Sequence, residues 1–188
     1  MKPVGFDNTM LSILLNPNGR IPHDESNRPL VMPKRRAEYL VEGLARSRQK
    51  IIIPTPAVAE LLTAIGPDAQ QYFDIIARSR LFEVASFDSR CAIELAFLNR
   101  DVFASGDPKN RDEAYQKIKI DRQIIAIFKV AGVEDLYTDD GGLARRAKLC
   151  GMNPIATWQL GLPSDDRQIK MEYDAPDEIP EPVDDADI

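Results

Sequence analysis

The chain has 188 residues, enough for one sizeable hydrophobic core and too few for two. Its apolar fraction of 44% is ordinary, and the absence of an apolar run of about 18 residues predicts a soluble, cytoplasmic protein without a membrane span or signal peptide. The formal net charge is -6, but ten of the 30 acidic and two of the 24 basic residues lie from Ser164 onward. The preceding body is therefore close to +2, and the acidity belongs to a Pro-rich tail over 164–188 that is predicted to be disordered.

Cysteine and histidine are too scarce for several kinds of site. Cys91 and Cys150 lie far apart without a CxxC pair, and the single histidine, His23, has no neighbouring ligand. This pattern disfavours a zinc site, a Ser-His-Asp triad and an HExxH metalloprotease. We interpret both cysteines as reduced core residues. Any chemistry is expected to come from carboxylates and metal ions.

The first predicted element places a carboxylate at the end of a strand. The short apolar run over 4–6 ends at Asp7, and apolar residues from Met10 onward follow at helical spacing. Ligands of open α/β sheets bind beyond the carboxyl ends of the strands, so Asp7 is a candidate functional residue. An aspartate at this position is also a common helix N-cap, and the position alone does not separate the two interpretations.

A polar, Pro-rich connection over 16–33 follows the first helix and is predicted to be a functional loop or a mobile insertion. After it, apolar residues at helical spacing over 34–50 predict an amphipathic helix with a basic outer face. A buried strand over 51–53 then leads into a helix that carries Glu60 in its second turn. Glu60 lies near the carboxyl end of that strand, although its spacing also suits a side chain that faces solvent.

The rest of the chain repeats the alternation of short strands and helices. Further strands are predicted at 81–85, 136–138 and 153–157. Helices are predicted between these strands, the longest of them starting near Tyr115. This rhythm is typical of a parallel sheet covered on both faces, so we predict a three-layer α/β/α domain over 1–163.

Acids recur at or near the strand ends of this predicted sheet. Asp139 and Asp140 end the penultimate strand, and Asp121 lies inside the long helix, where a carboxylate is costly to bury unless a cation compensates it. Together with Asp7 and Glu60 these acids could converge on one edge, which requires divalent cations because carboxylates repel one another. Oxygen-only ligands select Mg²⁺ or Mn²⁺. Such a site is suited to phosphodiester hydrolysis.

Four stretches of the chain resemble the motifs of the PIN-domain nucleases, whose compact prokaryotic members include the VapC-type toxin ribonucleases. They are VGFDNT at 4–9, TPAVAELL at 55–62, IDRQIIA at 120–126 and YTDD at 137–140. The resemblance covers roughly residues 2–157. It implies a PIN-like fold and a Mg²⁺- or Mn²⁺-dependent endonuclease of single-stranded RNA.

The resemblance also implies roles for individual acids. Asp7, Glu60, Asp121 and Asp140 match the four catalytic acids of the family. Asp7 and Asp121 are expected to bind the main metal ion, while Glu60 and Asp140 orient the water or a second ion. Asp139 could replace Asp140 as the fourth acid and metal ligand.

Other residues are candidates for supporting roles. Thr9 matches a polar position near the metal and could hold a ligand by a hydrogen bond. Basic residues near the predicted edge could bind the RNA backbone, but a solvated helix face explains them equally well. The first group of basic residues is Lys109, Arg111, Lys117, Lys119 and Arg122. The second group is Arg145, Arg146 and Lys148.

The implied biological setting is the toxin of a toxin–antitoxin pair, with an antitoxin or another regulatory protein as partner and with a homodimer as its assembly. The insertion over 16–33 and the acidic tail depart from the compact toxins. A catalytically silent PIN-fold binding or regulatory module is the main alternative. A phosphotransfer protein with Asp7 as acceptor fits less well, because a haloacid-dehalogenase phosphatase needs an aspartate where Thr9 stands and a receiver domain needs one at Pro54-Thr55.

Overall fold

The computed structural model describes residues 1–16, 18–104 and 115–164, with the side chain of Tyr115 left out. The predicted tail beyond Ser164 and the polar loop that starts at residue 105 therefore lie outside the described residues. Within them, five strands form one sheet: Val4–Phe6 (β1), Ile51–Pro54 (β2), Phe82–Ala85 (β3), Asp135–Tyr137 (β4) and Asn153–Ile155 (β5). All neighbouring strands pair in parallel in the order β3-β2-β1-β4-β5, which confirms the predicted parallel sheet.

The α-helices of the described residues lie between these strands in sequence, one or two in each connection. They are Asn8–Leu15 (α1), Pro33–Arg46 (α2), Thr55–Ile65 (α3), Ala69–Arg78 (α4), Ser89–Leu98 (α5), Tyr115–Val130 (α6) and Gly141–Leu149 (α7). Short 3-10 helices lie at Gly66–Asp68 and Thr157–Gln159, and a π-helical segment, Asn99–Phe103, follows α5. No helix in the described part of the chain has both the length and the apolar character needed to cross a membrane.

Successive side chains along the strands point to opposite faces of the sheet, and each face has its own hydrophobic core. Ile51 and Ile53 pack with residues of α1 to α4, whereas Ile52 and Leu136 pack with residues of α5 to α7. Because both faces are covered, β1 and β2 are buried along their whole length, as is typical of strands in parallel sheets. Cys91 and Cys150 are both buried, as predicted for core residues.

Helix α6 is positioned by a close approach to β1. A Cβ atom added at Gly5 would lie 2.7 Å from Cε1 of Phe128, so a larger residue there would push the helix off the sheet. The preceding turns of α6 extend toward the carboxyl edge, where Lys117 contacts Asp140 just beyond β4. The first half of α6 is therefore held beside the acids at that edge.

The connection over 16–33 has some local structure of its own. His23 and Pro29 form an isolated antiparallel bridge, and the carboxylate of Asp24 accepts hydrogen bonds from the N–H groups of Ser26 and Arg28 at 2.8 and 2.9 Å. The following helix, α2, begins with a proline, which suits a first helical position, and ends at Arg46 rather than near residue 50.

Candidate active site at the carboxyl edge of the sheet

Asp7 directly follows β1 and is nearly inaccessible to solvent, at 3% exposed. Its Oδ1 accepts hydrogen bonds from the Met10 N–H at 3.1 Å and from the Thr9 hydroxyl at 2.7 Å. Its Oδ2 accepts a hydrogen bond from the Thr138 hydroxyl at 2.5 Å. Asp7 is thus the N-cap of α1 and also faces the carboxyl edge of the sheet, so the two interpretations of this residue are compatible.

The environment of Asp7 disfavours its charged form. Burial is the largest cause and raises the pKa of Asp7 to about 6, although the hydrogen bonds from Thr138, Thr9 and Met10 oppose it. The negative charge of Asp140 raises this pKa further. Among the described residues, the hydrogen-bond partners of Asp7 are hydroxyls and a backbone N–H, none of them cationic. A cation bound here would therefore relieve a strong electrostatic penalty.

Two threonine hydroxyls join Asp7 to the loop after β4. Thr9 Oγ1 accepts a hydrogen bond from the Asp139 N–H at 2.8 Å, and Thr138 Oγ1 accepts one from the Asp140 N–H at 3.0 Å. Each hydroxyl donates to Asp7 at the same time, so the ends of β1 and β4 are fixed relative to each other. Thr9 has the geometry of the predicted supporting residue. Thr138 was missed, although its place directly before the two acids was a usable signal.

Asp140 is the N-cap of α7 and also carries an ion pair. Its Oδ1 accepts hydrogen bonds from the N–H groups of Gly142 and Leu143, at 2.8 and 3.0 Å. Its Oδ2 lies 2.8 Å from the Nζ of Lys117. Partial burial raises the pKa of Asp140, but the hydrogen bonds from Lys117 and from the helix N-terminus outweigh burial and lower it overall. Asp140 is therefore ionised and half-buried at the mouth of the site.

The structure distinguishes Asp139 from Asp140, which the sequence could not do. The carboxylate of Asp139 accepts hydrogen bonds from the N–H and the hydroxyl of Thr157, at 2.7 and 2.6 Å. These bonds tie the end of β4 to the turn after β5. The charge that raises the pKa of Asp7 and Glu60 comes from Asp140. The geometry therefore favours Asp140 as the fourth acid and gives Asp139 a structural role.

Glu60 reaches the same space from α3. Its side chain is exposed, yet partial desolvation and, after it, the negative charge of Asp140 raise its pKa. The positive charge of Lys117 and a hydrogen bond with Asn8 act in the opposite direction. Asp7 and Glu60 are thus both near enough to Asp140 at the carboxyl edge for its charge to act on them.

Asp121 differs from the other three acids because it is paired with a buried protein cation. It lies in α6, one turn beyond Lys117, and is 5% exposed. Its Oδ2 lies 2.8 Å from Nη1 of Arg146, whose own side chain is 1% exposed. The sequence predicted that a buried Asp121 would need a cation, and the structure supplies a guanidinium from α7.

The prediction that Arg146 lies on a solvated or RNA-binding surface is wrong. It is the largest fully buried side chain among the described residues. The buried positions of α7 are Gly142, Leu143, Arg146 and Ala147, which recur at helical spacing. This spacing was the signal that could have placed Arg146 on the inner face of the helix.

The remaining basic candidates differ in how they are held. The Arg122 guanidinium donates to the side-chain oxygen of Asn99 at 3.0 Å and lies 4.6 Å from the centre of the Phe103 ring, so it is anchored against the π-helical segment. Lys119, Arg145 and Lys148 are exposed.

The donor set can be tested against the expected metal ion. Among the described residues, no three or more His, Cys, Asp or Glu side chains are grouped closely enough to hold a metal by themselves. Mg²⁺ is commonly bound by only one or two carboxylates, with water and substrate phosphate oxygens completing its shell. Asp7 and Asp140 provide an oxygen-only pair of this kind, so the residues at this edge fit a Mg²⁺ or Mn²⁺ ion that shares its ligands with a substrate.

Comparisons with known proteins do not assign this chain. No model of a known protein family matches it, and no curated protein matches it either. The features that bear on function are therefore the parallel α/β architecture and the acids at its carboxyl edge.

Proposed function

We propose that the protein is a divalent-metal-dependent endonuclease of single-stranded RNA with a PIN-like fold. The observation that carries the proposal is the convergence of Asp7, Glu60 and Asp140 at one edge of a parallel sheet, where the pKa values of Asp7 and Glu60 are raised. Acids whose charged forms are disfavoured, here chiefly by burial and further by the charge of Asp140, are stabilised by a bound cation. The carboxyl edge of such a sheet is also the usual place for ligand binding.

The proposed roles follow from the partners of each acid. Asp7 and Asp140 would hold a Mg²⁺ or Mn²⁺ ion, which when bound supplies Lewis-acid polarisation of the scissile phosphate. Thr9 and Thr138 orient the Asp7 carboxylate through the hydrogen bonds described above. Glu60, whose pKa is raised and whose side chain is exposed to solvent, orients the attacking water and accepts its proton.

Asp121 has a different place in this proposal from the one that the resemblance implied. Its Oδ2 is already paired with Arg146, and that pair is buried. We therefore assign the metal to Asp7 and Asp140, and we give Asp121 a positioning role at the junction of α6 and α7.

The test is cleavage of mixed single-stranded RNAs by the purified protein with Mg²⁺, Mn²⁺ or EDTA. Asp7→Asn and Asp140→Asn are expected to lower the rate by about a hundredfold or more, because each removes a proposed metal ligand. Asp139→Asn is the matched control and is expected to retain most of the activity. Cleavage that persists in EDTA or in Asp7→Asn would overturn the proposal. Growth arrest on expression of the wild type, but not of Asp7→Asn, would extend the proposal to a toxin with an antitoxin partner.

A catalytically silent binding or regulatory module is the second candidate, and one observation favours it. Lys117 and Arg146 already neutralise Asp140 and Asp121 without a metal ion. A silent module would bind neither Mn²⁺ nor Mg²⁺ in calorimetry and would cleave no RNA. Retained RNA or protein binding under those conditions would then identify what the module recognises.

A further inference from the structure

Lys117 is a cationic side chain that contacts an acid of the proposed metal site. Its Nζ lies 2.8 Å from Oδ2 of Asp140, the oxygen that is not used to cap α7. Its charge also acts on Glu60. One ammonium group thus faces two of the three acids that the proposed function assigns to metal and water.

The surroundings of this ion pair allow it to open. The Lys117 side chain is 48% exposed and that of Asp140 is 21% exposed. A lysine carries its charge on a flexible stem and keeps its ammonium well hydrated when it moves into water. An ion pair this close to solvent is only weakly stabilising.

A divalent ion and the ammonium compete for Oδ2 of Asp140, because two cations a few ångströms apart repel each other. The other oxygen of Asp140 is directed at the N–H groups of Gly142 and Leu143. Binding of a metal by Asp140 therefore requires Lys117 to withdraw.

We propose that Lys117 is a displaceable counter-ion of Asp140, which neutralises the site in the absence of metal and competes directly with the divalent cation for Oδ2. The inference rests on the proposed function and adds the residue that sets the metal affinity of the site. Lys117 is then a residue that tunes metal binding, in place of the RNA-contacting role suggested by its position in the sequence.

The test is calorimetric titration of Mn²⁺ into the wild type and into three variants of the full chain. Lys117→Met removes the competing charge and is expected to tighten Mn²⁺ binding by about two- to fivefold. Lys117→Arg keeps the net charge but offers a forked donor that pairs more strongly with a carboxylate, so it is expected to weaken Mn²⁺ binding. Lys119→Met removes an equal charge from the same helix and is expected to change the affinity by less than about 1.5-fold.

The outcomes separate the two proposals. Mn²⁺ binding by the wild type with unchanged or weaker binding by Lys117→Met would overturn the counter-ion role and leave the metal site standing. Equal tightening by Lys117→Met and Lys119→Met would also overturn it, because the effect would then be one of net charge alone. Absence of Mn²⁺ binding in the wild type and in all the variants would overturn both the counter-ion role and the proposed metal-dependent function. Thermal unfolding of each variant verifies that it is folded.

Discussion

Two ion pairs of opposite polarity join α6 to α7, and their surroundings differ. Lys117 of α6 pairs with Asp140 at the start of α7, while Asp121 of α6 pairs with Arg146 of α7. The N···O distance is 2.8 Å in both. The side chains of the first pair are 48% and 21% exposed, and those of the second are 1% and 7% exposed.

This difference in burial separates an exchangeable contact from a fixed one. The charges of a partly exposed pair can return to water, so breaking the pair costs little. A buried pair is costly to break, because the remaining charge is left in the core without compensation. The carboxyl edge therefore has one acid whose cation can be replaced, Asp140, and one whose cation is part of the core, Asp121. Asp7 is a third case, since its described partners are not cationic.

The largest expected effect is on stability when the buried pair is broken. Arg146→Met leaves Asp121 charged and buried, and is expected to lower the free energy of unfolding by about 3–5 kcal/mol. The double variant Asp121→Asn/Arg146→Met removes both charges and is expected to recover most of this loss. Urea denaturation at neutral pH in EDTA measures the free energy of unfolding of the single and the double variant. Arg145→Met is the control, because its side chain is exposed, and a loss as large in that variant would contradict the comparison.

The second prediction concerns Asp7, a buried acid whose hydrogen-bond partners among the described residues are not cationic. Burial raises its pKa from 3.8 to about 6, so its ionisation destabilises the folded state. The penalty is absent below about pH 4, grows as the pH rises toward 6 and is complete above that, where the shift corresponds to about 3 kcal/mol. In EDTA, Asp7→Asn is therefore expected to be more stable than the wild type at neutral pH by up to that amount.

Urea unfolding of the two proteins between about pH 4 and pH 8 measures the predicted dependence on Asp7. The difference between them should vanish at the acidic end, and Mg²⁺ should narrow it at neutral pH by stabilising the wild type. A difference that does not change with pH would mean that Asp7 is not buried as the structure places it.

The third prediction tests whether adjacent acids at this edge have separate roles. Asp139→Asn weakens the hydrogen bonds to Thr157 and is expected to cost about 1–2 kcal/mol of stability, with Mn²⁺ affinity unchanged. Asp140→Asn is expected to weaken Mn²⁺ binding and to leave the stability nearly unchanged, because asparagine still caps a helix but is a poorer metal ligand. Thermal unfolding and calorimetry on both variants measure the two effects. Loss of Mn²⁺ affinity in Asp139→Asn alone would reverse the assignment of the two acids.

The sequence could predict the helices and strands, because they depend on local pattern. It could also predict that acids at strand ends lie close together, because this follows from a general property of parallel sheets. The apolar run of β2 and the long buried pattern of α6 identify these elements without knowledge of the fold. The carboxyl ends of parallel strands share one edge, so Asp7 and Asp140 were expected near each other.

The partners of the acids could not be predicted in the same way. Asp121 and Arg146 are 25 residues apart, and their contact depends on how α6 packs against α7. Asp139 and Asp140 are adjacent in sequence, but only Asp139 bonds to Thr157, which lies close to it because β5 pairs with β4. These contacts are set by tertiary packing, which the spacing of residues along the chain does not encode.

The smallest expected effect is the loss of stability when the exposed pair of Lys117 and Asp140 is broken. Lys117→Met is expected to cost less than about 1 kcal/mol at low ionic strength, because Asp140 keeps its helix-capping bonds and gains access to water. Raising the salt concentration to about 1 M should remove even this difference, since exposed charges are then screened within about 3 Å.

The loss in Arg146→Met is expected to persist at the same high salt, because ions do not reach a pair buried between two helices. Urea unfolding of the wild type and both variants at low and high salt measures the two responses side by side. If the two losses fell together with salt, Arg146 would be as accessible to solvent as Lys117. Asp121 would then be as open to a metal ion as Asp140, and the site would hold its ion with the acids that the resemblance implied.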